Sequence, residues 1–114
     1  MSLIPQNATE LALEGATVPF YSYEKDGVEY LQFDTSKTGH PEPMVNAMVG
    51  LQNLKEGQKL VMINHKPPMG LFPKIEADYD YSVDEISEGL YAITFSKKAN
   101  AAGATDFNDT ACNG

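Results

Sequence analysis

The chain has 114 residues and a mass of 12.5 kDa, the size of one domain. Its 16 carboxylates outnumber 8 lysines and there is no arginine, so the net charge of −8 excludes a basic nucleic-acid-binding surface. One cysteine excludes an intrachain disulfide and a cysteine-based zinc site. Because the chain has neither a membrane-spanning apolar run nor the pattern of a signal peptide, its composition predicts a cytoplasmic protein that does not enter a membrane.

Residues 1–16 are predicted to form an N-terminal arm, and the sequence leaves two alternatives for its structure. Thr9 is a suitable N-cap for one or two helical turns that would end at Gly15. The other alternative, to which the sequence gives equal weight, is a partly ordered arm.

A β-hairpin is predicted over residues 17–34. Its turn is Asp26-Gly27 between two runs rich in β-formers, and this dipeptide favours a turn with positive φ at both positions. Pro19 cannot donate to a ladder, so the first strand is expected at an edge or as an addition to the main sheet.

The first helix is predicted to begin at the Pro41 to Pro43 segment, because proline is favoured in a first helical turn. Gly57 fits the position just past its end. Apolar residues at helical spacing predict one buried face, formed by Met44, Val45, Met48, Leu51 and Leu54. The polar residues between them are predicted to face water, namely Asn46, Gln52 and Asn53.

The apolar run Lys59–Asn64 predicts a buried strand, parallel to the preceding strand because a helix connects the two. A short helix near residues 71–77 and two strands near 80–86 and 90–96 are expected to follow. Residues 99–114, which contain Cys112, are predicted to be a flexible C-terminal tail.

This order predicts an α+β fold, a two-layer sandwich with the order β-α-β-α-β-β. Its mixed four-stranded sheet would follow the N-terminal hairpin arm. Residues 17–98 are predicted to be the single α/β sandwich domain of the chain.

Residues 31–98 resemble the TusA/SirA-like superfamily of small α/β sandwiches. A strand ends before the sequence GHPEPM (39–44), in which a proline pair opens a helix. The turn at 55–58, with the sequence KEGQ, resembles the Gly-Glu turn that precedes the second strand of the family. It is followed, in the order of the family, by a polar, proline-containing loop at 64–68 and by a closing hairpin. The resemblance implies the fold described above.

His40 occupies the position at which the sulfur carriers of this superfamily have a cysteine. In those members a thiol at a helix N-terminus would carry a persulfide. An imidazole cannot hold a persulfide, so the carrier activity is not transferred. The sequence is similar to an uncharacterised branch that has His-Pro-x-Pro in place of Cys-Pro-x-Pro.

His40 and His65 are the candidate functional residues, because each follows one of two strands predicted to be parallel. Loops after parallel strands lie at the same sheet edge, where ligands of α/β folds usually bind. Neutral imidazole suits metals, but two histidines need a third ligand, such as Asp34, Glu42 or a partner's residue. The candidate ligand-binding residues are His40, Pro41, Pro43, His65 and Pro67.

The function predicted first is a small, non-enzymatic accessory or binding domain. It would use this edge for a ligand and its acidic surface for a protein partner or a second copy. The second hypothesis is a redox or cofactor-binding protein in which His40 and His65 ligate a metal ion or haem. The third, sulfur transfer, is opposed by His40.

Overall fold

The computed structural model describes residues 7–39 and 41–98, which form a mixed sheet of six strands with two helices. Neither of these helices is long and apolar enough to cross a membrane. The elements in chain order are β1 (Thr9–Leu11), β2 (Phe20–Lys25), β3 (Val28–Asp34), α1 (Glu42–Gln52), β4 (Lys59–Asn64), α2 (Phe72–Ile75), β5 (Tyr79–Ser87) and β6 (Leu90–Lys97).

The strand order is β1-β2-β3-β4-β6-β5, so the α+β class is confirmed and the predicted four-stranded sheet is wrong. The two additional strands are β1, which lies in the predicted N-terminal arm, and β2, which is the first strand of the predicted hairpin arm. The hairpin strand β2 pairs with β3 along its whole length and buries Phe20 in the core, so it is part of the sheet. Pro19 lies just before β2, where its missing N–H costs no ladder bond.

Residues 9–11 form strand β1 rather than the helical turns that were one of the two alternatives. β1 pairs antiparallel with β2, with Leu11 opposite Phe20. Leu11 and Leu13 pack against the core, so this segment gains apolar burial as a strand. Residues 1–6 and the predicted tail of residues 99–114, with Cys112, lie outside the described residues.

The predicted hairpin and the predicted parallel pair are both confirmed. Asp26 and Gly27 have φ of 54° and 80°, which matches a turn with positive φ at both central positions. Strands β3 and β4 are parallel neighbours, with Leu31 opposite Leu60 and Phe33 opposite Met62. Because a parallel connection must cross the sheet, α1 lies between them in sequence and packs on the sheet.

Both helices pack on the same face of the sheet, where alternate strand residues form one apolar layer. Leu60 and Met62 of β4 lie at its centre, and Phe95 and Ile93 of β6 lie opposite them. The helices contribute Met44, Ala47, Met48 and Leu51 from α1, and Phe72 and Ile75 from α2. This arrangement has two layers and gives the chain its hydrophobic core.

Asn46 is buried, which corrects the prediction that it faces water. Its side-chain oxygen accepts the Thr17 N–H at 2.9 Å, and its amide donates to Thr17 Oγ1 at 2.7 Å and to Glu42 O at 2.8 Å. These bonds attach the segment before β2 to α1. A residue type that usually lies at a helix surface is buried because every polar atom of its amide has a partner.

Gly50 of α1 packs directly against side chains of the sheet. A Cβ there would be 2.9 Å from Leu60 Cδ1 and 3.0 Å from Phe20 Cε2, and both of these side chains are fully buried. The absent side chain therefore sets how closely α1 can approach β4 and β2.

Gly50→Ala is expected to lower the free energy of unfolding by about 1–2 kcal/mol. Overpacking costs about 1–3 kcal/mol, and the helix propensity of alanine returns up to about 1 kcal/mol. Urea unfolding measures the difference. The control is Gly39→Ala, since a Cβ at Gly39 meets nothing within 4 Å. Gly50→Ala at or above wild-type stability would contradict this account of the contact.

Tyr79 should make the fold sensitive to alkaline pH. Its hydroxyl donates to Leu51 O at 3.0 Å, and burial, then the Asp78 carboxylate, raise the pKa of Tyr79 above 10.0. Above pH 10.0 the unfolded chain therefore loses this proton before the folded chain does, so stability falls as pH rises toward the folded pKa.

Tyr79→Phe is expected to lower the free energy of unfolding by about 1 kcal/mol at neutral pH. Above about pH 10 its free energy of unfolding should fall less steeply with pH than that of the wild type. Urea unfolding across this pH range measures both effects. Tyr81→Phe, at the exposed edge of the sheet, is the matched control. An unchanged alkaline slope in Tyr79→Phe would show that other groups cause the loss.

Candidate binding edge of the sheet

The carboxyl ends of β3 and β4 lie side by side at one edge of the sheet. In their register Asp34 is opposite Ile63, and the Thr35 N–H donates to Ile63 O at 2.8 Å. The loop that leads to α1 and the loop that leads to α2 therefore start next to each other. We call this part of the molecule the binding edge, and define it as residues 34–39, 41–43 and 64–68.

A buried polar pair connects the two loops of the binding edge. Thr35 is fully buried and Asn64 is 1% exposed. Thr35 Oγ1 lies 3.1 Å from Asn64 Oδ1 and 3.3 Å from Ile63 O, and Asn64 Nδ2 donates to Lys66 O at 2.9 Å. Because these bonds are shielded from water, they hold both loop backbones in one arrangement.

The loop after β3 is a series of tight turns. The Asp34 carboxylate accepts the Ser36 N–H at 2.8 Å, and Thr38 donates through both its N–H and its hydroxyl to Thr35 O. The chain then reaches α1, whose N-cap is Pro41. Each turn satisfies backbone groups within the loop, and Thr35 attaches the loop to the end of β4.

The beginning of α1 matches the predicted proline-containing first turn. Pro43 lies in that turn, Glu42 is its acidic residue, and no side chain of a described residue makes a capping hydrogen bond to the helix. The Val45 N–H donates to Pro41 O at 3.0 Å, and the Glu42 N–H donates to Gly39 O at 3.0 Å. Pro41 is exposed, and Pro43 is partly buried.

His65 directly follows the buried Asn64 and is exposed. Its loop continues through the partly buried Pro67 and the buried Pro68, whose carbonyl oxygens accept the N–H groups of Met69 and Leu71 at 2.9 Å. The side chain of His65 is therefore presented to solvent from a backbone that hydrogen bonds hold on both sides.

Four of the five candidate ligand-binding residues can be placed on the binding edge, namely Pro41, Pro43, His65 and Pro67. His40 lies outside the described residues, so its predicted approach to His65 stays a prediction. Within residues 7–39 and 41–98, no group of three or more histidine, cysteine, aspartate or glutamate residues could hold a metal ion. The proposed third ligands Asp34 and Glu42 therefore do not complete a site with His65 alone.

Thr35 and Asn64 were not singled out from the sequence as functional residues, although a signal was present. Each is a polar residue at the end of an apolar strand, and such residues are either solvated or buried with a partner. Only the parallel register brings the two side chains together.

No family model matches the chain, and no curated protein or solved structure matches it. The resemblance to the TusA/SirA-like superfamily therefore stays a prediction.

A double-mutant cycle tests the Thr35–Asn64 pair. Asn64→Ala is expected to cost about 1–3 kcal/mol because it leaves buried polar groups without partners. The free energy of unfolding lost in the double variant Thr35→Val/Asn64→Ala should be smaller than the sum of the losses in the two single variants, by at least about 0.5 kcal/mol. Urea unfolding measures all three, and His65→Ala should stay within about 0.5 kcal/mol of wild type. Strict additivity would show that the two side chains do not interact.

Proposed function

We propose that the protein is a small, non-enzymatic binding domain and that its ligand contacts the binding edge around His40 and His65. One observation carries this proposal: the buried Thr35–Asn64 pair holds two loops next to each other and leaves His65 exposed beside them. A surface ordered before the ligand arrives loses less conformational entropy on binding.

The position of the binding edge in the fold supports the same proposal. Ligands of open α/β sheets bind outside the carboxyl ends of the parallel strands, and β3 and β4 are the parallel pair of the described sheet. The exposed charged or titratable side chains of this edge are Asp34, Lys37, His65 and Lys66, and the edge has no arginine because the chain has none. A small ligand that contacts the imidazole and single lysine or carboxylate groups fits this edge better than a polyphosphate, for which bidentate arginine contacts are the usual means of recognition.

The alternative hypothesis is that His40 and His65 ligate a metal ion or haem. It is supported only by the general ability of imidazole to act as a ligand. Sulfur transfer is the third, and His40 in the cysteine position opposes it. A cyanolysis assay separates sulfur transfer from the other two, because only a persulfide releases thiocyanate. We expect none.

The proposal is tested by titrating the isotope-labelled full chain with Zn²⁺, haemin and small carboxylic acids while recording backbone amide resonances. Binding is expected to shift the resonances of residues 35–39 and 64–68 and to weaken in His65→Ala. The matched control is Lys25→Ala, the last residue of β2, which pairs with Val28 at the opposite end of β3. Shifts confined to other parts of the chain, or equal affinity in both variants, would contradict the proposal.

The metal alternative gives a different result in the same titration. Stoichiometric Zn²⁺ or haem binding that is lost in both His40→Ala and His65→Ala would support ligation by the two histidines. Binding that survives both substitutions would exclude it.

A further inference from the structure

Strand β5 is the outermost strand on one side of the described sheet and is its longest strand. It spans Tyr79–Ser87 and pairs on one side with β6, and no described strand pairs with its other side. An edge strand presents unpaired N–H and C=O groups that can pair with another chain. The opposite edge, β1, has only 3 residues.

The face of β5 on the helix side has two partly exposed apolar residues, Tyr81 and Val83, followed on the same face by the exposed Glu85. Tyr81 and Val83 lie opposite the core residues Phe95 and Ile93 of β6, yet they are 40% and 39% exposed. The ring of Tyr81 stacks on Phe72 of α2 with centroids 3.9 Å apart. This stacking holds the tyrosine in place and leaves part of an apolar surface beside the side of β5 that pairs with no described strand.

The other face of β5 is acidic and exposed. Because side chains alternate along a strand, Asp80, Ser82 and Asp84 share the face opposite Tyr81 and Val83. The Asp80 side chain is 71% exposed, and the ammonium group of Lys98 lies 4.0 Å from its carboxylate. An exposed pair at that distance is weak, so the Asp80 carboxylate can accept a second cation.

We propose that β5 is a docking edge for an extended, cationic segment of a partner protein, which adds to the sheet as a further strand. Main-chain hydrogen bonds would provide affinity, as in other cases of strand addition. Apolar residues of the partner would face Tyr81 and Val83, and lysine or arginine would face Asp80 and Asp84.

The charge of the chain argues for this partner over a second copy. Each copy carries a net charge of −8, and an antiparallel pair of β5 strands centred on Ser82 would place Asp80 of one copy opposite Asp84 of the other. Like charges across paired strands are destabilising. The same carboxylates therefore oppose self-association and favour a cationic strand.

The probe is a capped peptide with the core Lys-Val-Thr-Val-Lys, which matches the alternation of residues 80–84. Titration into the isotope-labelled full chain should shift the amide resonances of residues 79–87. A scrambled peptide of the same composition should bind more weakly. No binding at about 1 mM peptide, or equal binding of the scrambled peptide, would overturn the proposal.

Charge variants test the acidic face. Asp80→Asn/Asp84→Asn is expected to weaken peptide binding about two- to tenfold, since exposed ion pairs contribute modestly. The matched control, Glu14→Gln/Glu56→Gln, removes the same charge from exposed positions outside β5 and should leave affinity unchanged. Equal weakening in both variants would show that only net charge matters and would overturn the proposal.

N-methylated peptides test strand addition itself. In an antiparallel pair, alternate residues direct their N–H groups toward the partner strand. Two peptides are compared, one methylated on both valine nitrogens and one methylated on the threonine nitrogen. Only one of these two sets of N–H groups faces β5, so one peptide should lose binding and the other should keep it. Equal binding of both would overturn the proposal, and so would concentration-dependent dimerisation of the chain through residues 79–87.

Discussion

The parallel pairing of β3 with β4 is the constraint on which the other features of this protein depend. Two parallel neighbours cannot be joined by a tight turn, so the chain must cross the sheet, and α1 is that crossing. The apolar face of α1 then covers Leu60 and Met62, and Gly50 allows the close approach. The same pairing places the ends of both strands at one edge, where two loops begin together.

Buried asparagines hold the irregular segments to this frame. Asn46 attaches the segment before β2 to α1, and Asn64 connects with Thr35 across the binding edge. An asparagine amide both donates and accepts, so one side chain can satisfy backbone groups on two segments. The cost of burying these amides is offset only while all partners are present, which makes each position sensitive to substitution and each loop well defined.

The two proposed surfaces use different properties of the same sheet. The binding edge lies at the strand ends, where side chains and turns determine recognition. The proposed docking edge lies along β5, whose outer side pairs with no described strand, and Asp80 and Asp84 would select the charge of the partner. The acidic residues of β5 thus allow an exposed strand edge without favouring self-association, because like charges on two copies repel.

The sequence by itself determined the α+β class, the Asp26-Gly27 hairpin, the proline-opened helix and the parallel pair, because each depends on local periodicity or turn chemistry. It also placed His65 at a strand end. Only the tertiary structure decided that residues 9–11 form a strand, that the described sheet has six strands and that Asn46 is buried. Likewise, Thr35 contacts Asn64, and β5 is the outermost described strand on its side of the sheet, only through pairings between residues far apart in sequence. Such pairings leave no periodic signal along the chain, because their energy comes from partners that folding brings together.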